Sequence, residues 1–431
     1  MIPAADAERA LDGAVEAARD ELIDLTRTLV RIPSENTPPH GAEGPVQDAI
    51  ESWLRTAGLE TDRFTTGEAG IASHALFFPD RDHADRPVVV GRVKGSGGGR
   101  SLVLSGHCDT VPAGGGWTRE PFGGAITDGR LYGRGAFDMK GGLAAALMAT
   151  VVMKRSGLAL PGDLLVESVP DEEFAGGHGT LAARLRGWNA DAAVVPENSG
   201  MAIYHAHRGL WLVRLTVEGA GGVDFNPGDL DAPVEHMGRL IGWMAEYRDH
   251  RRRTAPRHAA YAGHPDPVPV LLTDLCAGDP GRPHVIAVPG SATLEVYLQL
   301  LPGETPEAIG RDFHAFLEAR RAADPWFSRR AIRAEHPYRF MPGSAIPADH
   351  PLVALARASA GAVMGAPVPA RAAPYPCDLY IFNEFFRTPG ILLGPRGDGA
   401  HAPDEWVSLD DLTTVTKVLA RLAYHWCHGE R

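Results

Sequence analysis

The sequence is poor in cysteine. Its 431 residues include four cysteines, Cys108, Cys276, Cys377 and Cys427, and no two of them form a Cys-x-x-Cys pair. Disulfide-stapled secreted domains and zinc sites built from thiolates both depend on closely spaced cysteines. The cysteine pattern therefore argues against both kinds of protein, and it suits a reducing, cytoplasmic location.

The sequence also has no excess of basic residues. The formal net charge is −12, whereas a nucleic-acid-binding protein needs a basic face that displaces counterions from phosphates. The one basic run, residues 251–253, is short and more typical of a solvated loop, although it could reach an anionic substrate. We therefore expect a small-molecule partner and no nucleic acid.

Long hydrophobic runs are absent as well. The longest apolar stretch, residues 142–153, is far shorter than the roughly 20 residues that a membrane-spanning helix needs, so we expect a buried helix there. The N-terminal segment carries Asp6, Glu8, Asp12 and Glu16 in place of the basic and then apolar pattern of a secretory signal. We expect neither a secretory signal nor a membrane partner.

The composition that remains is that of a globular protein, with 44% hydrophobic and 22% charged residues. The length predicts roughly two or three domains. Short runs of Val and Leu between Gly or Pro predict strands that are buried on both faces, and helices would cover the sheet. The predicted strands include residues 88–90, 102–104, 164–166, 192–195 and 391–393, and the predicted helices include 7–31, 45–57, 139–156 and 410–427. The fold class is therefore α/β, with a mainly parallel sheet flanked by helices.

The middle of the chain has a different pattern. Two alternating strands, residues 211–217 and 292–298, and two helices near 232–247 and 305–321 predict an α+β region. Because α/β sequence resumes after it, we place this region as a domain inserted into the first one. The predicted domains are residues 1–208 and 341–431, which together form one catalytic domain, and residues 209–340, which form the insertion.

Two segments in the first domain carry candidate metal ligands. In residues 102–112, His107 ends a buried strand and Asp109 follows two positions later. Residues two apart on an extended chain point the same way, so the Asp109 carboxylate can hold the far ring nitrogen of His107. In residues 133–142, Asp138 stands at the start of a helix, where backbone N–H groups stabilise a carboxylate. Each segment alone is explained more simply, by a core histidine beside a turn aspartate and by a helix N-cap.

Three further segments add carboxylates and a second histidine. In residues 169–179, Glu172 and Glu173 follow an apolar strand, and neighbouring extended residues face opposite directions. Glu173 could therefore bind metal while Glu172 faces the bound water as general base. Glu197 follows the strand 192–195, and His401 lies in a glycine-rich loop after the last strand. Each of these alone is typical of a solvated surface loop.

Together, the five segments indicate a metal site more strongly than any one of them alone. In open α/β sheets, ligands bind beyond the carboxyl ends of the strands, where these segments are predicted to lie. Two histidines and three carboxylates can hold two zinc ions, with one carboxylate bridging and a bridging water left for attack. The predicted ligands of two Zn²⁺ per chain, or of Co²⁺ in their place, are His107, Asp138, Glu173, Glu197 and His401.

These segments resemble those of the dinuclear zinc amidohydrolases that include acetylornithine deacetylase, succinyl-diaminopimelate desuccinylase, aminoacylase 1 and the glutamate carboxypeptidases. The resemblance covers nearly the whole chain and is strongest at residues 105–112, 133–142, 171–173 and 401–405. It implies that His107 and Glu197 bind one metal, that Glu173 and His401 bind the other, and that Asp138 bridges the two.

The resemblance also implies roles outside the metal ligands. Glu172 would be the general base and acid, and Asp109 would orient His107. The inserted region would be a lid domain through which family members commonly dimerise, and we expect a possible homodimer through residues 232–247.

The lid departs from the family at a catalytic position. Family members carry a histidine there that polarises the scissile carbonyl, and the corresponding positions are Val223 and Asp224. Loss of one such donor costs on the order of 10²–10³ in rate in other enzymes. His236, His258 and His264 lie elsewhere in the lid, and any of them could take its place.

The lid strand that ends near residue 301 also lacks the arginine present in many relatives, which puts recognition of a substrate carboxylate in doubt. We predict metal-dependent hydrolysis of an amide bond in an N-acyl amino acid or small dipeptide-like substrate, by attack of a metal-bridging water that Glu172 activates. The alternative is a metal-binding family member with altered or lost hydrolase activity, serving as a binding protein or in a specialised biosynthetic step.

Overall fold

The computed structural model describes residues 3–223, 230–278 and 287–429. Contacts within the chain divide it into two units. The first unit consists of residues 1–206, 345–373 and 377–431, and the second consists of residues 207–344 and 374–376. The chain thus leaves the first unit, builds the second and returns.

Runs of Val and Leu form the central sheet of the first unit. The strands Leu102–His107, Leu164–Val169 and Ala192–Val195 are buried along their whole length, as expected where helices cover both faces. Across the sheet the order is Ser344–Ala345, Ile203–His207, Gly390–Leu392, Ala192–Val195, Leu102–His107, Leu164–Val169, Pro87–Val93 and Glu60–Thr65, with Ala370–Ala372 paired to Ile203–His207.

Parallel pairing is confined largely to the centre of this sheet. Gly390–Leu392, Ala192–Val195, Leu102–His107 and Leu164–Val169 run parallel to one another, so their carboxyl ends meet at one edge. Pro87–Val93 pairs antiparallel to Leu164–Val169. The predicted α/β class with an inserted α+β region is confirmed, and the sheet is mixed because its outer strands reverse direction.

Helices cover the central sheet. The helix Gly141–Ser156 is apolar on all sides and buried up to Met153. With the turn before it, Ala136–Ser156 is long and apolar enough to cross a membrane, but 89% of that apolar window is buried inside the protein, as in a core helix. The other helices of this unit are Ala4–Ala17, Arg19–Arg31, Gly44–Thr56, His178–Leu185, Pro351–Met364 and Leu409–His428.

A small antiparallel sheet lies beside the central one in the chain's first unit. Its strands, in order, are Gly397–Asp398, Trp406–Ser408, Arg130–Tyr132 and Ala125–Thr127. The pairing of Tyr132 with Trp406 brings the segment that follows residue 132 next to the loop that precedes residue 406. A two-stranded ribbon, Asn36–Thr37 with His40–Gly41, completes the strands of this unit.

The second unit is an antiparallel sheet with two helices. The strand order is Val270–Ala277, Ser291–Leu300, Gly209–Glu218 and Ile332–Glu335, and the helices are Met237–Thr254 and Pro306–Ala323. Alternating residues of the two long strands, among them Val213, Leu215 and Val296, pack with Phe313 in one buried cluster. The α+β pattern follows from this alternation, since each strand turns one apolar face to the helices.

The basic run at residues 251–253 is not a loop, contrary to the sequence-based expectation. It forms the last turn of the helix Met237–Thr254, where positive charge is favoured by the helix dipole. Arg251 is buried and donates to both carboxylate oxygens of Glu304, at 2.5 and 3.1 Å. This ion pair explains why an arginine can lie inside the second unit.

Candidate metal centre

Two parallel neighbours in the central sheet position His107 and Glu197. His107 is the last residue of Leu102–His107, and Glu197 follows Ala192–Val195 by two positions. Because these strands pair in parallel, both side chains emerge at the same edge. His107 Nε2 lies 3.4 Å from Glu197 Oε1, and both residues are buried. Gly142 permits this arrangement, since a Cβ there would lie 1.8 Å from the Pro196 carbonyl oxygen.

Asp138 lies between two histidines. Its backbone, with φ −118° and ψ 94°, departs from helical geometry within the turn Ala136–Lys140. One carboxylate oxygen, Oδ1, lies 3.3 Å from His107 Nε2, and the other, Oδ2, lies 3.5 Å from His401 Nε2. The two oxygens of one carboxylate thus face different imidazoles, which is the arrangement a bridging ligand requires.

Glu173 and His401 complete the group. Glu173 Oε2 lies 3.1 Å from His401 Nε2. Glu173 is buried, whereas the His401 side chain is 55% exposed and has a positive φ of 59° in the loop after Gly397–Asp398. The structure therefore brings together all five residues predicted as metal ligands.

The spacing of the donor atoms fits divalent metal ions. In a tetrahedral zinc site with bonds of about 2.0–2.2 Å, two ligand atoms lie about 3.3–3.6 Å apart. The distances from the His107 and His401 Nε2 atoms to the oxygens of Asp138, Glu173 and Glu197 fall between 3.1 and 3.5 Å. One ligand atom each from His107, Asp138 and Glu173 lies within 4.8 Å of the others. Imidazole nitrogens and carboxylate oxygens are also the donors that zinc accepts.

The electrostatics of the group point the same way. Burial raises the pKa of Glu197 to about 7, and the charge of Asp138 adds to this effect. Partial burial alone would lower the pKa of His401, but the carboxylates of Glu173 and Asp138 outweigh it and raise that pKa to about 11. Carboxylates this close together repel one another and favour protonation of the neighbouring groups. Divalent cations bound between them would neutralise this negative charge.

Glu172 occupies a small cavity next to these ligands. The cavity is also lined by His107, Thr180, Glu197 and Asp378. Burial raises the pKa of Glu172 well above its usual range, against the opposing charge of His107 and with the support of the Asp378 and Glu197 charges. A raised carboxyl pKa is the property that a general acid and base needs.

Asp109 holds the loop of Glu172 and Glu173. Its carboxylate accepts the backbone N–H of Glu172 at 3.2 Å and that of Glu173 at 3.1 Å. His107 Nδ1 lies 3.0 Å from the backbone carbonyl oxygen of Asp109 and 3.6 Å from its carboxylate. The nearer acceptor for the far ring nitrogen is thus the Asp109 carbonyl, while the predicted carboxylate is farther away.

Residues that the sequence did not reveal surround this group. Asn36 donates to Asp109 at 2.9 Å and lies 3.1 Å from Asp171. Asp171 accepts from Arg86 at 2.7 Å. Glu405 accepts the backbone N–H of Asp138 at 2.9 Å. Asp171 and Glu405 carried a sequence signal, since they belong to the segments 171–173 and 401–405, where the resemblance is strongest.

The histidines considered as replacements in the second unit all have local contacts. His236 packs on Trp326 with 3.9 Å between ring centroids. His258 accepts the Ala260 backbone N–H at 3.3 Å. His264 Nδ1 lies 3.0 Å from Arg208 Nη2.

The positions where the family histidine was expected are only partly described. Val223 is 52% exposed, and Asp224 lies outside the described residues. On the strand that lacks the family arginine, Gln299 accepts a hydrogen bond from Arg208. The Arg208 guanidinium thus binds the neutral side-chain amide of Gln299 on this strand.

The sequence is similar to a family model and to several known proteins. The model of peptidase family M20/M25/M40 matches residues 103–425. The chain is 26% identical over 446 residues to the N-formyl-4-amino-5-aminomethyl-2-methylpyrimidine deformylase of Bacillus subtilis (strain 168), covering 97% of each chain. It is 32% identical over 313 residues to the succinyl-diaminopimelate desuccinylase of Methylobacterium radiotolerans, covering 70% of this chain and 72% of that one.

Solved structures share the fold at low sequence identity. The dipeptidase Dug1p from Saccharomyces cerevisiae has a TM-score of 0.77 at 14% identity, over 98% of this chain and 99% of that one. Human carnosine dipeptidase 1 has a TM-score of 0.75 at 16% identity, over 97% and 99%. The YXEP protein of Bacillus subtilis, described as a dinuclear metal binding peptidase, has a TM-score of 0.61 at 16% identity, over 95% and 98%.

Proposed function

The chain belongs to peptidase family M20/M25/M40 and is a metal-dependent amide hydrolase, and from this premise we propose that it removes an acyl group from the nitrogen of a small amino-acid-like substrate. The observation that carries the proposal is the convergence of two histidines, three carboxylates and the cavity-lining acid Glu172 at one edge of the central sheet. N-acyl amino acids and dipeptide-like amides are the proposed substrate class.

We assign the metal ligands as two pairs joined by a bridge. His107 and Glu197 would hold one ion, Glu173 and His401 would hold the other, and Asp138 would bridge, as its two oxygens facing different histidines suggest. The nitrogen and oxygen donors favour zinc, and cobalt accepts the same ligands. When bound, such ions lower the pKa of a water molecule and polarise the carbonyl group.

The chain's own residues handle the proton. Glu172 accepts it from the attacking water as the water oxygen bonds to the carbonyl carbon, and then delivers it to the amide nitrogen as the carbon–nitrogen bond breaks. The products are a carboxylic acid and an amine. Asp109 holds the Glu172 backbone and His107 in place during these steps.

The names of the relatives support deacylation. One relative removes a formyl group and the other removes a succinyl group, and both groups are acyl groups on nitrogen. These acyl groups differ in size and charge. The proposal therefore extends to an acyl group on nitrogen in general, without choosing between formyl, succinyl and larger groups.

The test is turnover by the wild type and by Glu172→Gln. A panel of N-formyl, N-acetyl and N-succinyl amino acids and dipeptides is assayed with Zn²⁺ and with Co²⁺ added. We expect turnover by the wild type, loss of at least about 10²-fold in kcat for Glu172→Gln, and equal metal content in both. Near-normal activity of the variant would refute the role of Glu172. Metal binding without turnover of any amide would favour the alternative, a binding protein.

We also propose that the second unit mediates a homodimer. The strand Val270–Ala277 lies at the edge of its sheet, and its residues 271–275 are all exposed. Leu271, Leu272 and Leu275 are 44%, 38% and 52% exposed. An exposed apolar edge strand has unpaired backbone groups that another strand can satisfy, and antiparallel pairing with a second copy would be symmetric.

A further inference from the structure

We propose that Glu405 is a positioning residue that fixes the spacing between Asp138 and His401. The inference rests on the proposed metal centre, since it concerns how tightly that centre binds its ions. The Glu405 carboxylate accepts from backbone N–H groups and from Arg134, and we assign it no catalytic role. It acts through the backbone of two loops that each carry one ligand.

The Glu405 carboxylate accepts four hydrogen bonds. Oε1 accepts the backbone N–H groups of Phe137 and Asp138, at 2.8 and 2.9 Å. Oε2 accepts the backbone N–H of Gly135 at 2.8 Å and Arg134 Nη1 at 2.7 Å. Glu405 is fully buried. A single carboxylate thus holds most of the segment that ends at Asp138.

The same group is tied to the His401 loop. Glu405 lies four residues after His401, and its carbonyl oxygen accepts the Gly133 backbone N–H at 2.9 Å. Arg134 Nη1, which donates to Glu405, also lies 3.3 Å from the carbonyl oxygen of Ala402. The Arg134 side chain is itself buried. The Glu405–Arg134 pair therefore fastens the Asp138 loop to the residue next to His401.

Sheet register explains why this connection sets a distance. Tyr132 and Trp406 are paired in the small antiparallel sheet, so the two loops start side by side. His107 and Glu197, in contrast, are positioned by strands of the central sheet. The Asp138–His401 spacing depends on two loops, and loops need such fixation to hold ligands within the tolerance of a metal site.

Glutamine cannot replace glutamate here, although its shape is the same. The side-chain amide has one oxygen, so either the pair of N–H groups at Oε1 or the pair of donors at Oε2 would face an NH₂ group. Donors would then face donors in a buried site. The segment that carries Asp138 has to move away, and the spacing between the ligands changes.

The experiment compares metal affinity in Glu405→Gln and wild-type protein. Full-length protein is freed of metal and titrated with Zn²⁺ and Co²⁺, by calorimetry and by the Co²⁺ absorption spectrum. We expect two equivalents in the wild type and a rise of roughly 10–100-fold in the dissociation constant of at least one equivalent in the variant, as found for residues that support metal ligands. Wild-type affinity for both equivalents in folded Glu405→Gln would overturn the proposal.

Glu304→Gln is the matched control. Glu304 is also buried, pairs with Arg251 and accepts the Leu301 backbone N–H at 2.8 Å, but it belongs to the second unit. We expect this variant to lose thermal stability while both dissociation constants stay within about twofold of wild type. Equal weakening in the two variants would mean that Glu405 acts only through stability, which also overturns the proposal.

A second variant covers the case in which Glu405→Gln does not fold. Arg134→Lys keeps the charge but removes the planar guanidinium, whose Nη1 reaches Glu405 and Ala402 while its Nη2 reaches the Ala113 carbonyl oxygen. It should weaken metal binding in the same direction, and unchanged affinity in the folded protein would overturn the proposal. If the wild type binds no metal, the proposed function fails instead, and the two failures are thus distinct.

Discussion

Asn36 donates its side-chain amide to Asp109, with 2.9 Å between Nδ2 and Oδ2. The same nitrogen lies 3.1 Å from a carboxylate oxygen of Asp171. Asn36 therefore separates two buried carboxylates, one of which holds the backbone of Glu172 and Glu173. A neutral donor between two anions is a structural requirement here, because a third anion would repel both.

The first prediction concerns Asn36→Asp, which keeps the shape and adds a negative charge. We expect a loss of roughly 3–5 kcal/mol in the free energy of unfolding, as for an unpaired buried charge. We also expect kcat/KM to fall by roughly 10–100-fold, because Asp109 would shift. Chemical denaturation and steady-state kinetics measure the two effects.

Gln47→Glu provides the matched control for Asn36→Asp. Gln47 is buried and donates to the carbonyl oxygens of Pro87 and Ser168, each at 2.9 Å. This variant should lose stability while the folded fraction retains its kcat/KM. If Asn36→Asp also kept wild-type kcat/KM, Asn36 would have no part in the site.

The second prediction concerns Asp138→Asn. The amide nitrogen cannot ligate a metal, so one of the two bridging bonds is lost. We expect bound zinc after gel filtration to fall from two equivalents to about one or fewer, and kcat to fall by more than about 10²-fold. Elemental analysis of the purified protein measures the first effect.

Asp398→Asn is a suitable control for Asp138→Asn. Asp398 lies near His401 in sequence, is exposed, and accepts the Gly399 backbone N–H at 2.8 Å. Metal content and kcat should remain at wild-type levels. Two full equivalents in Asp138→Asn would refute a bridging role for Asp138.

Much of the fold was predictable because its signals are local. Buried Val and Leu runs, such as Leu102–His107, predict strands through composition alone. Their direction is not local: Pro87–Val93 has the same composition but runs antiparallel to its neighbour. Likewise, Arg251 was predicted to lie in a solvated loop. Its partner Glu304 is 53 residues away in the sequence, and no local sequence pattern indicates such an ion pair.

The proximity of the five candidate ligands was predictable for a similar reason. Each candidate follows a strand or begins a helix, and parallel strands bring their carboxyl ends together. The roles of Asn36 and Glu405 were not predicted, because they depend on contacts with Asp109 and Asp138, which are 73 and 267 residues away in the sequence. Zinc as the metal and a cytoplasmic location stay predictions.

The third prediction concerns the proposed dimer. Leu275→Lys places a charge in the middle of the exposed edge strand Val270–Ala277. If two copies pair along this strand, the buried charge should raise the dimer dissociation constant by at least about tenfold. Sedimentation velocity over a range of protein concentrations measures this change.

Leu185→Lys is the control for the dimer prediction. Leu185 is also a partly exposed leucine, at 38%, but it lies in the first unit at the end of His178–Leu185. It should leave the sedimentation coefficient unchanged. A wild-type protein that is monomeric at all concentrations would refute the dimer, and a Leu275→Lys dimer as tight as wild type would refute this interface.

The last prediction concerns pH and His207. This residue is buried, and burial lowers its pKa to about 4, against a backbone hydrogen bond that raises it. Nδ1 lies 2.8 Å from the Arg208 carbonyl oxygen and Nε2 lies 2.8 Å from the Ser344 hydroxyl. The neutral imidazole thus donates through Nδ1 and accepts through Nε2.

In the unfolded chain the pKa of His207 returns to about 6.5. Between pH 4 and pH 6.5 the unfolded state therefore binds more protons than the folded state. The free energy of unfolding that His207 contributes is complete above about pH 6.5 and is lost as pH falls toward 4, by about 2 kcal/mol between pH 7 and pH 5.

Urea denaturation at pH 7 and pH 5 measures this loss. From pH 7 to pH 5 the free energy of unfolding should decrease less for His207→Gln than for wild type. The control is His40→Gln, whose side chain is 72% exposed and which should behave as wild type. Equal pH dependence in His207→Gln and wild type would show that His207 is not held neutral by the fold.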